Sequence, residues 1–191
     1  MIIGSKVRLC DKRLADAPND YTWKTDPELA RLAAAPLLTT TFPRYLANYA
    51  SELLHSPPAS YQFALETLDG EHIGNCAYYD INETKGEAKL GIVIGNRDYW
   101  NKGYGTDAVA TMVSHIFRKT NLKRIYLKTL DLNKRAQKCF KKCGFTPYGR
   151  RVSGGHSFVL MELHRQQWQE QQTKKFKTTL AFSRQNNNSH T

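Results

Sequence analysis

The chain has 191 residues, 40% apolar and 24% charged, proportions that suit one soluble domain with a core of its own. No apolar run nears the roughly 20 residues that a bilayer crossing needs, and Met1-Ile2-Ile3-Gly4 is too short for a signal-peptide core, so a cytoplasmic protein with no membrane contact is expected. The formal net charge of +11 attracts anions such as nucleic acids, acidic membranes and phosphorylated cofactors, but it is spread along the chain and selects none of them.

In chain order, Lys6 to Leu9 alternates and predicts a short strand. A helical stretch follows from about Ala15 to Ala35, broken by Pro18 and Pro27 and closed by Pro36. Pro43 sits near the first position of a second helix, whose apolar stripe is Leu46, Tyr49, Ala50, Leu53 and Leu54; Ser56-Pro57-Pro58 stops it. The period then changes to two. Tyr61, Phe63, Leu65 and Thr67 alternate, Asp69-Gly70 is a hairpin turn, and Glu71 to Ile81 returns. After a turn over Asn82 to Gly86, the β-branched run Ala88 to Gly95 completes an antiparallel meander. A loop over Asn96 to Lys102 leads to a long helix, Gly103 to Lys119, striped by Tyr104, Ala108, Val109, Met112, Val113, Ile116 and Phe117. Leu122 to Leu130 is a strand. Asn133 caps a helix that turns Ala136, Cys139, Phe140 and Cys143 to the core and ends at Gly144. Two strands flank Gly154-Gly155 and finish near Leu163. Residues 1–168 are therefore expected to form one domain. Residues 169–191, basic and Gln/Asn-rich, are expected to form a flexible tail.

Cys10, Cys76, Cys139 and Cys143 make no CxxC pair and no Cys/His cluster, so no metal site is expected. The chemistry concentrates in GIVIGNRDYWNKGYGTDAVATMV. Gly103 and Gly105 leave backbone N–H groups bare at a helix N-terminus, where hydrogen bonding and the helix dipole favour phosphate, and Lys102 adds a charge. A plain glycine turn that starts a helix is the alternative. Gly103-x-Gly105-x-x-Ala108 also fits a dinucleotide fingerprint, but Asn96 to Lys102 separate it from its strand and no further strand–helix units follow. No Gly-Lys-Ser/Thr completes a P-loop.

The order of elements and the run Tyr99-Trp100-Asn101-Lys102-Gly103-Tyr104-Gly105-Thr106 resemble the GNAT superfamily of N-acetyltransferases, in the branch with ribosomal-protein alanine and spermidine acetyltransferases. The resemblance covers about Lys6 to Trp168. It is strengthened by Leu9, Trp23, Asp26-Pro27-Glu28, Gly74, Asn133, Ala136, Gly144-Phe145, Met161 and Trp168. It implies an α/β (α+β) GNAT fold, with a mixed, mostly antiparallel sheet of about seven strands flanked by about four helices and splayed at its centre. It implies an acyltransferase with acetyl-CoA as co-substrate and an amine acceptor, either a small molecule or a protein N-terminus. Backbone groups of Val93, Ile94 and Gly95 would hold the pantetheine arm, with an N–H near Ile94 stabilising the oxyanion. Backbone N–H groups from Asn101 through Lys102, Gly103, Tyr104 and Gly105 to Thr106 would hold the pyrophosphate. Asn133 and Phe140 would contact the cofactor from the next helix.

Three positions depart from the family pattern. Phe140 stands where many relatives carry a Tyr acid, Lys89 where many carry Glu, and Asn101 where Gly is usual. Glu87, on the face of Lys89, is the candidate base, and Glu66 is a second. His115 is expected to be structural, while His72 and His156 are expected to be solvated at turns. Tyr78 and Tyr79 could each face the acceptor cleft or the core. Trp23, Asp26 and Tyr45 are candidate acceptor contacts. The rival readings are a non-catalytic CoA-binding module and a ribosome- or RNA-associated protein using Lys174, Lys175, Lys177 and Arg184. No aromatic-studded RNA motif supports nucleic acid as the main ligand. A homodimer stays open.

Overall fold

Apolar alternation in the first half of the chain produces strands that pair with their sequence neighbours. The computed structural model describes residues 1–55 and 60–187, with backbone alone for residue 175 and residues 178–187. The strands are β1 (Ile2–Ile3), β2 (Val7–Asp11), β3 (Tyr61–Thr67), β4 (His72–Asn82), β5 (Glu87–Ile94), β6 (Arg124–Leu130), β7 (Thr146–Ser153) and β8 (His156–His164). They form one eight-stranded sheet in the order β1-β2-β3-β4-β5-β6-β8-β7, antiparallel except at β5–β6. The helices are α1 (Ala17–Lys24), α2 (Pro27–Ala33), α3 (Phe42–Leu54), α4 (Tyr104–Lys119), α5 (Lys134–Lys142) and α6 (Arg165–Asn187).

The expected order is present, with differences in count that have local causes. The two-residue β1 is too short for periodicity to reveal. The first helical stretch divides because Asp26 caps a new helix, its Oδ1 accepting from Glu28 N at 2.9 Å and Leu29 N at 3.0 Å, with Pro27 first inside. The Ser56-Pro57-Pro58 stop lies outside the described residues, and so do residues 188–191 of the expected tail. Arg165–Asn187 is helical. Its start is anchored: the Arg165 side chain donates to the carbonyls of Phe117, Thr120 (2.7 Å) and Leu122 (2.8 Å) at the end of α4, and Trp168 packs 5.5 Å from Phe117.

The core lies between α4 and one face of the sheet. Ala108, Val109, Met112, Val113, Ile116 and Phe117 of α4 are buried against Val7, Leu9, Leu65, Ile73, Ala88, Leu90, Ile125 and Leu127. Helices α1 to α3 cover the other face.

β5 and β6 pair only at Glu87↔Arg124, Ala88↔Ile125 and Lys89↔Tyr126, after which β5 runs on to Ile94 without β6. The paired end is fastened. Gly86 O accepts from Lys123 N (2.6 Å) and Arg124 N (3.1 Å), and the Arg124 guanidinium bridges Glu87 (2.7 Å) and Glu162 (2.6 Å).

Asp107, in the first turn of α4, ties the N-terminal strands to this region. Its carboxylate accepts from Ser5 N (3.1 Å), Lys6 N (2.7 Å) and Val7 N (3.1 Å). Asp107→Ala strands those amides, and hydrogen bonds to a charged group contribute about 1.5–3 kcal/mol. The expected loss is about 2 kcal/mol, a fall of about 4–8 °C in Tm for a domain this size, checked by thermal unfolding. Asp107→Asn, which keeps one acceptor oxygen, should lose less.

Candidate active site

Where β5 leaves β6, a cavity of about 520 Å³ opens. Ile92, Val93 and Ile94 form one wall and Thr129 and Leu130 of β6 another; the start of α4 and the exposed side of α5 close one end, and Leu29, Leu32 and Ala33 of α2 roof the other.

The α4 end presents backbone N–H groups and cationic side chains. Asn101 takes φ 59° and Gly103 φ 88°, a left-handed turn that Asn tolerates and Gly favours. The first helical hydrogen bond runs from Asp107 N to Gly103 O, so the N–H groups of Tyr104, Gly105 and Thr106 have no partner within the helix. A Cβ placed on Gly105 would meet only Cys139 Sγ and Ile94 Cγ1, each at 3.7 Å, so packing does not demand the glycine; its bareness serves the cavity. Arg135, Lys138 and Lys142 of α5 line the same end. Arg135 stacks 3.3 Å from the Trp100 ring, and burial lowers its pKa. Trp100 is fixed in turn by its Nε1 donating to Ile94 O at 2.7 Å.

The wall has a phase. Gly95 N donates to Ile73 O at 2.9 Å, toward β4. Backbone groups alternate sides along a strand, so Val93, opposite Asn75, also faces β4, while Ile92 and Ile94 face the cleft. Ile94 O, taken by Trp100 of the cavity lining, agrees with that phase. Gly95 has a packing duty instead: a Cβ there would meet the Trp23 ring at 2.0 Å. Gly74 has another, since its Cβ would meet Val93 O at 2.1 Å.

The cavity thus gathers Val93, Ile94, Asn101, Gly103, Gly105, Thr106, Asn133 and Phe140, and leaves Gly95, Lys102, Tyr104 and Glu87 out of its lining. Asn133 acts as a helix cap, its Oδ1 accepting from Ala136 N at 3.1 Å. Phe140 is buried edge-on to Phe145, with centroids 5.9 Å apart. Lys102 O accepts from Lys6 Nζ at 3.2 Å, and Tyr104 carries Lys6 over its ring. Glu87 is held by Arg124 beneath the cleft. Glu66 is fully buried and bound by Arg8 (2.7 Å) and Arg13.

Other expectations need correction. His72 is buried rather than solvated: it packs against Trp23 at 4.8 Å and lies 3.8 Å from Asp16 and 3.9 Å from Asp20. Tyr78 is core, stacked on Tyr61, while Tyr79 lines the cavity. Trp23, Asp26 and Tyr45 do not line it, and Leu29 and Leu32 take that place. Lys89, Lys128, Arg135 and Phe158 were not singled out as lining residues. The alternation Glu87, Lys89, Gly91, Val93 carried the signal for Lys89, and the helical turn after Asn133 carried it for Arg135.

Residues 7–146 match the family model described as acetyltransferase (GNAT) domain. The chain belongs to the GNAT acetyltransferase family. A curated relative, the uncharacterized N-acetyltransferase p20 of Bacillus licheniformis, is 25% identical over 146 residues, 75% of this chain and 81% of that one. A spermidine N-acetyltransferase from Vibrio cholerae, solved with CoA and spermine, superposes with a TM-score of 0.75 at 19% identity over 86% of this chain and 98% of that chain. An aminoglycoside acetyltransferase solved with coenzyme A gives 0.71 at 21%, over 86% and 98%. As a GNAT acetyltransferase the protein uses acetyl-CoA as its co-substrate. No helix among the described residues is long and apolar enough to cross a membrane.

One thiol reports on the site. The Cys139 pKa is brought down to about 7, chiefly by the neighbouring Cys143 thiol and further by Thr106, whose Oγ1 lies 3.6 Å from the sulfur. Burial instead pushes Cys76 up to about 12. A thiolate is the reactive form, so Cys139 alkylation should rise through pH 7 rather than near 9. Iodoacetamide labelling read by mass spectrometry should find Cys139 protected by acetyl-CoA, and Cys76 inert in the native fold.

Proposed function

We propose that the cavity binds acetyl-CoA with its pyrophosphate on the N–H groups between Asn101 and Thr106, and that a neutral primary amine attacks the thioester from the α2 side. The observation that carries this reading is the parting of β5 from β6 beside a glycine-bearing helix start. The cleft-facing backbone of Ile92 and Ile94 replaces a missing strand partner with the amides of the pantetheine arm. Ile94 N–H is the donor for the developing oxyanion, a rigid group that needs no reorganisation during reaction. The amine nitrogen bonds to the carbonyl carbon, the C–S bond breaks, CoA leaves as thiolate, and the ammonium proton passes to solvent. Phe140 has no proton to give, which suits a thiolate that leaves unprotonated.

Glu87, the candidate base from the sequence, is better read as the fastening of the β5–β6 junction, because its carboxylate is committed to Arg124. Glu66 is enclosed by Arg8 and Arg13 in the same way. The cytoplasm suits free thiols, which Cys10, Cys76 and Cys139 are.

Calorimetric titration with acetyl-CoA, using NAD as control, tests the seat: saturable binding of the first alone is expected, and none would sink the reading. Gly105→Ala should retain or slightly raise Tm, since Ala in a helix gains about 0.5–1 kcal/mol over Gly. Its added methyl should weaken acetyl-CoA at least several-fold. Glu87→Gln should lower Tm while kcat falls far less than the ~10²-fold loss expected for a general base.

A further inference from the structure

The end of the cavity away from the phosphate seat carries charges that acetyl-CoA does not need. In β5, Ala88, Leu90, Ile92 and Ile94 point to the α4 side, so Glu87, Lys89, Gly91 and Val93 point to the side covered by α2. The register Lys89↔Tyr126 then puts Lys128, two residues on in β6, on that same face across the gap. Both lysines line the cavity, with Tyr79, Phe158, Leu29 and Leu32 around them. Lys89 lies over the Tyr79 ring and is 3.5 Å from Asp80, an outward carboxylate with 59% side-chain exposure. Lys128 lies over the Phe158 ring at 4.5 Å, and among the described residues no carboxylate is within ion-pair distance of it.

No Asp or Glu appears in the cavity lining among the described residues. The acids around it are occupied: Asp80 by Lys89, Asp26 and Glu28 by Arg97, Glu87 and Glu162 by Arg124, and Asp131 by Lys134 and Arg150. A polyamine or aminoglycoside would bring several ammonium groups to two lysines, with the outward Asp80 beside Lys89 as the one carboxylate in ion-pair reach of either among the described residues. Like charges facing each other reject a ligand as effectively as a clash.

We propose that the acceptor is an amine bearing an anionic carboxylate close to its reactive nitrogen, held by Lys89 and Lys128 under the apolar roof of α2. The proposal rests on acetyl transfer occurring in this cavity. The two ammonium groups give the carboxylate charge-assisted hydrogen bonds and fix the amine toward the thioester. They also disfavour the charged form of that amine, so the neutral nucleophile forms without a carboxylate base. Two sources offer this chemistry: the carboxylate of a free α-amino acid, or the acidic side chain of a peptide's first residue.

The test is thiol release from acetyl-CoA, giving kcat/KM for matched acceptors. Glycine against glycinamide isolates the α-carboxylate; dipeptide amides beginning with glutamate, glutamine or lysine isolate the side chain; spermidine and kanamycin represent polycations. At least one anionic acceptor should exceed its neutral partner and both polycations by about tenfold or more, as one close charge pair can supply. The winning pair identifies the source. Lys89→Glu with Lys128→Glu should reverse that ranking in favour of spermidine while acetyl-CoA still binds saturably, if more weakly, which also shows the variant is folded; Lys89→Gln with Lys128→Gln should flatten it. Equal or better turnover of spermidine by the unaltered protein, or a ranking unmoved by charge reversal, would overturn the proposal. Acetyl-CoA binding without thiol release for any amine would instead overturn acetyl transfer in this cavity, and the proposal with it.

Discussion

A strand that loses its partner halfway along must find other partners for its backbone, and β5 does this after Lys89. The fastening at one end and the separation at the other are two parts of one device. Gly86, Glu87 and Arg124 hold the strands together below. Above, the ends of α4 and α5 occupy the widening gap, and Trp100 takes the Ile94 carbonyl that a neighbouring strand would have taken. What stays open is a short row of amides facing a cavity, beside a helix start with bare N–H groups. The site follows from this divergence, and side chains mostly tune it.

Charge is arranged in the same spirit. Arginines clamp pairs of carboxylates at the rim, while beneath α1 a denser set has its carboxylates buried. There Asp20 meets Lys12 at 2.5 Å, Asn75 Nδ2 at 2.5 Å and Tyr49 at 3.1 Å, and Glu66 meets Arg8 and Arg13. Ion pairs taken from water recover their desolvation only with good geometry and further hydrogen bonds, so such a set adds little net stability, yet removing one partner leaves a buried charge uncompensated. Its members span β2, α1, α3, β3 and β4, and it fixes the cover of the sheet face away from α4.

Much of this could be read from residue order, and the exceptions have physical reasons. Strand and helix periods gave the meander, the long helix and the glycine-bearing turn, because each repeats over many residues. The run GIVIG is apolar on both faces and so hides its phase. Val93 and Gly95 are therefore as well suited to the cleft as Ile94 on sequence, and the Gly95–Ile73 bond sets the alternation. Glu87 and Lys89 share a face by parity, but the arginine that claims Glu87 lies 37 residues away. His72 follows a turn, which suggests water, yet Trp23 arrives from another helix to cover it. Arg165–Asn187 has a composition that suggests loose chain, and only the contacts of Arg165 and Trp168 with α4 show where its helix begins.

The three tryptophans fall in three different settings. Trp23 is folded over Gly95 and His72, and Trp168 sits under the start of α6 against Phe117. Trp100 alone stands in the cavity wall, its indole N–H on Ile94 and its ring under the Arg135 guanidinium. Any ligand anion that draws Arg135 away changes the field over one indole and leaves the other two as internal references. The fold thereby contains its own optical probe of occupancy, readable from emission without a label.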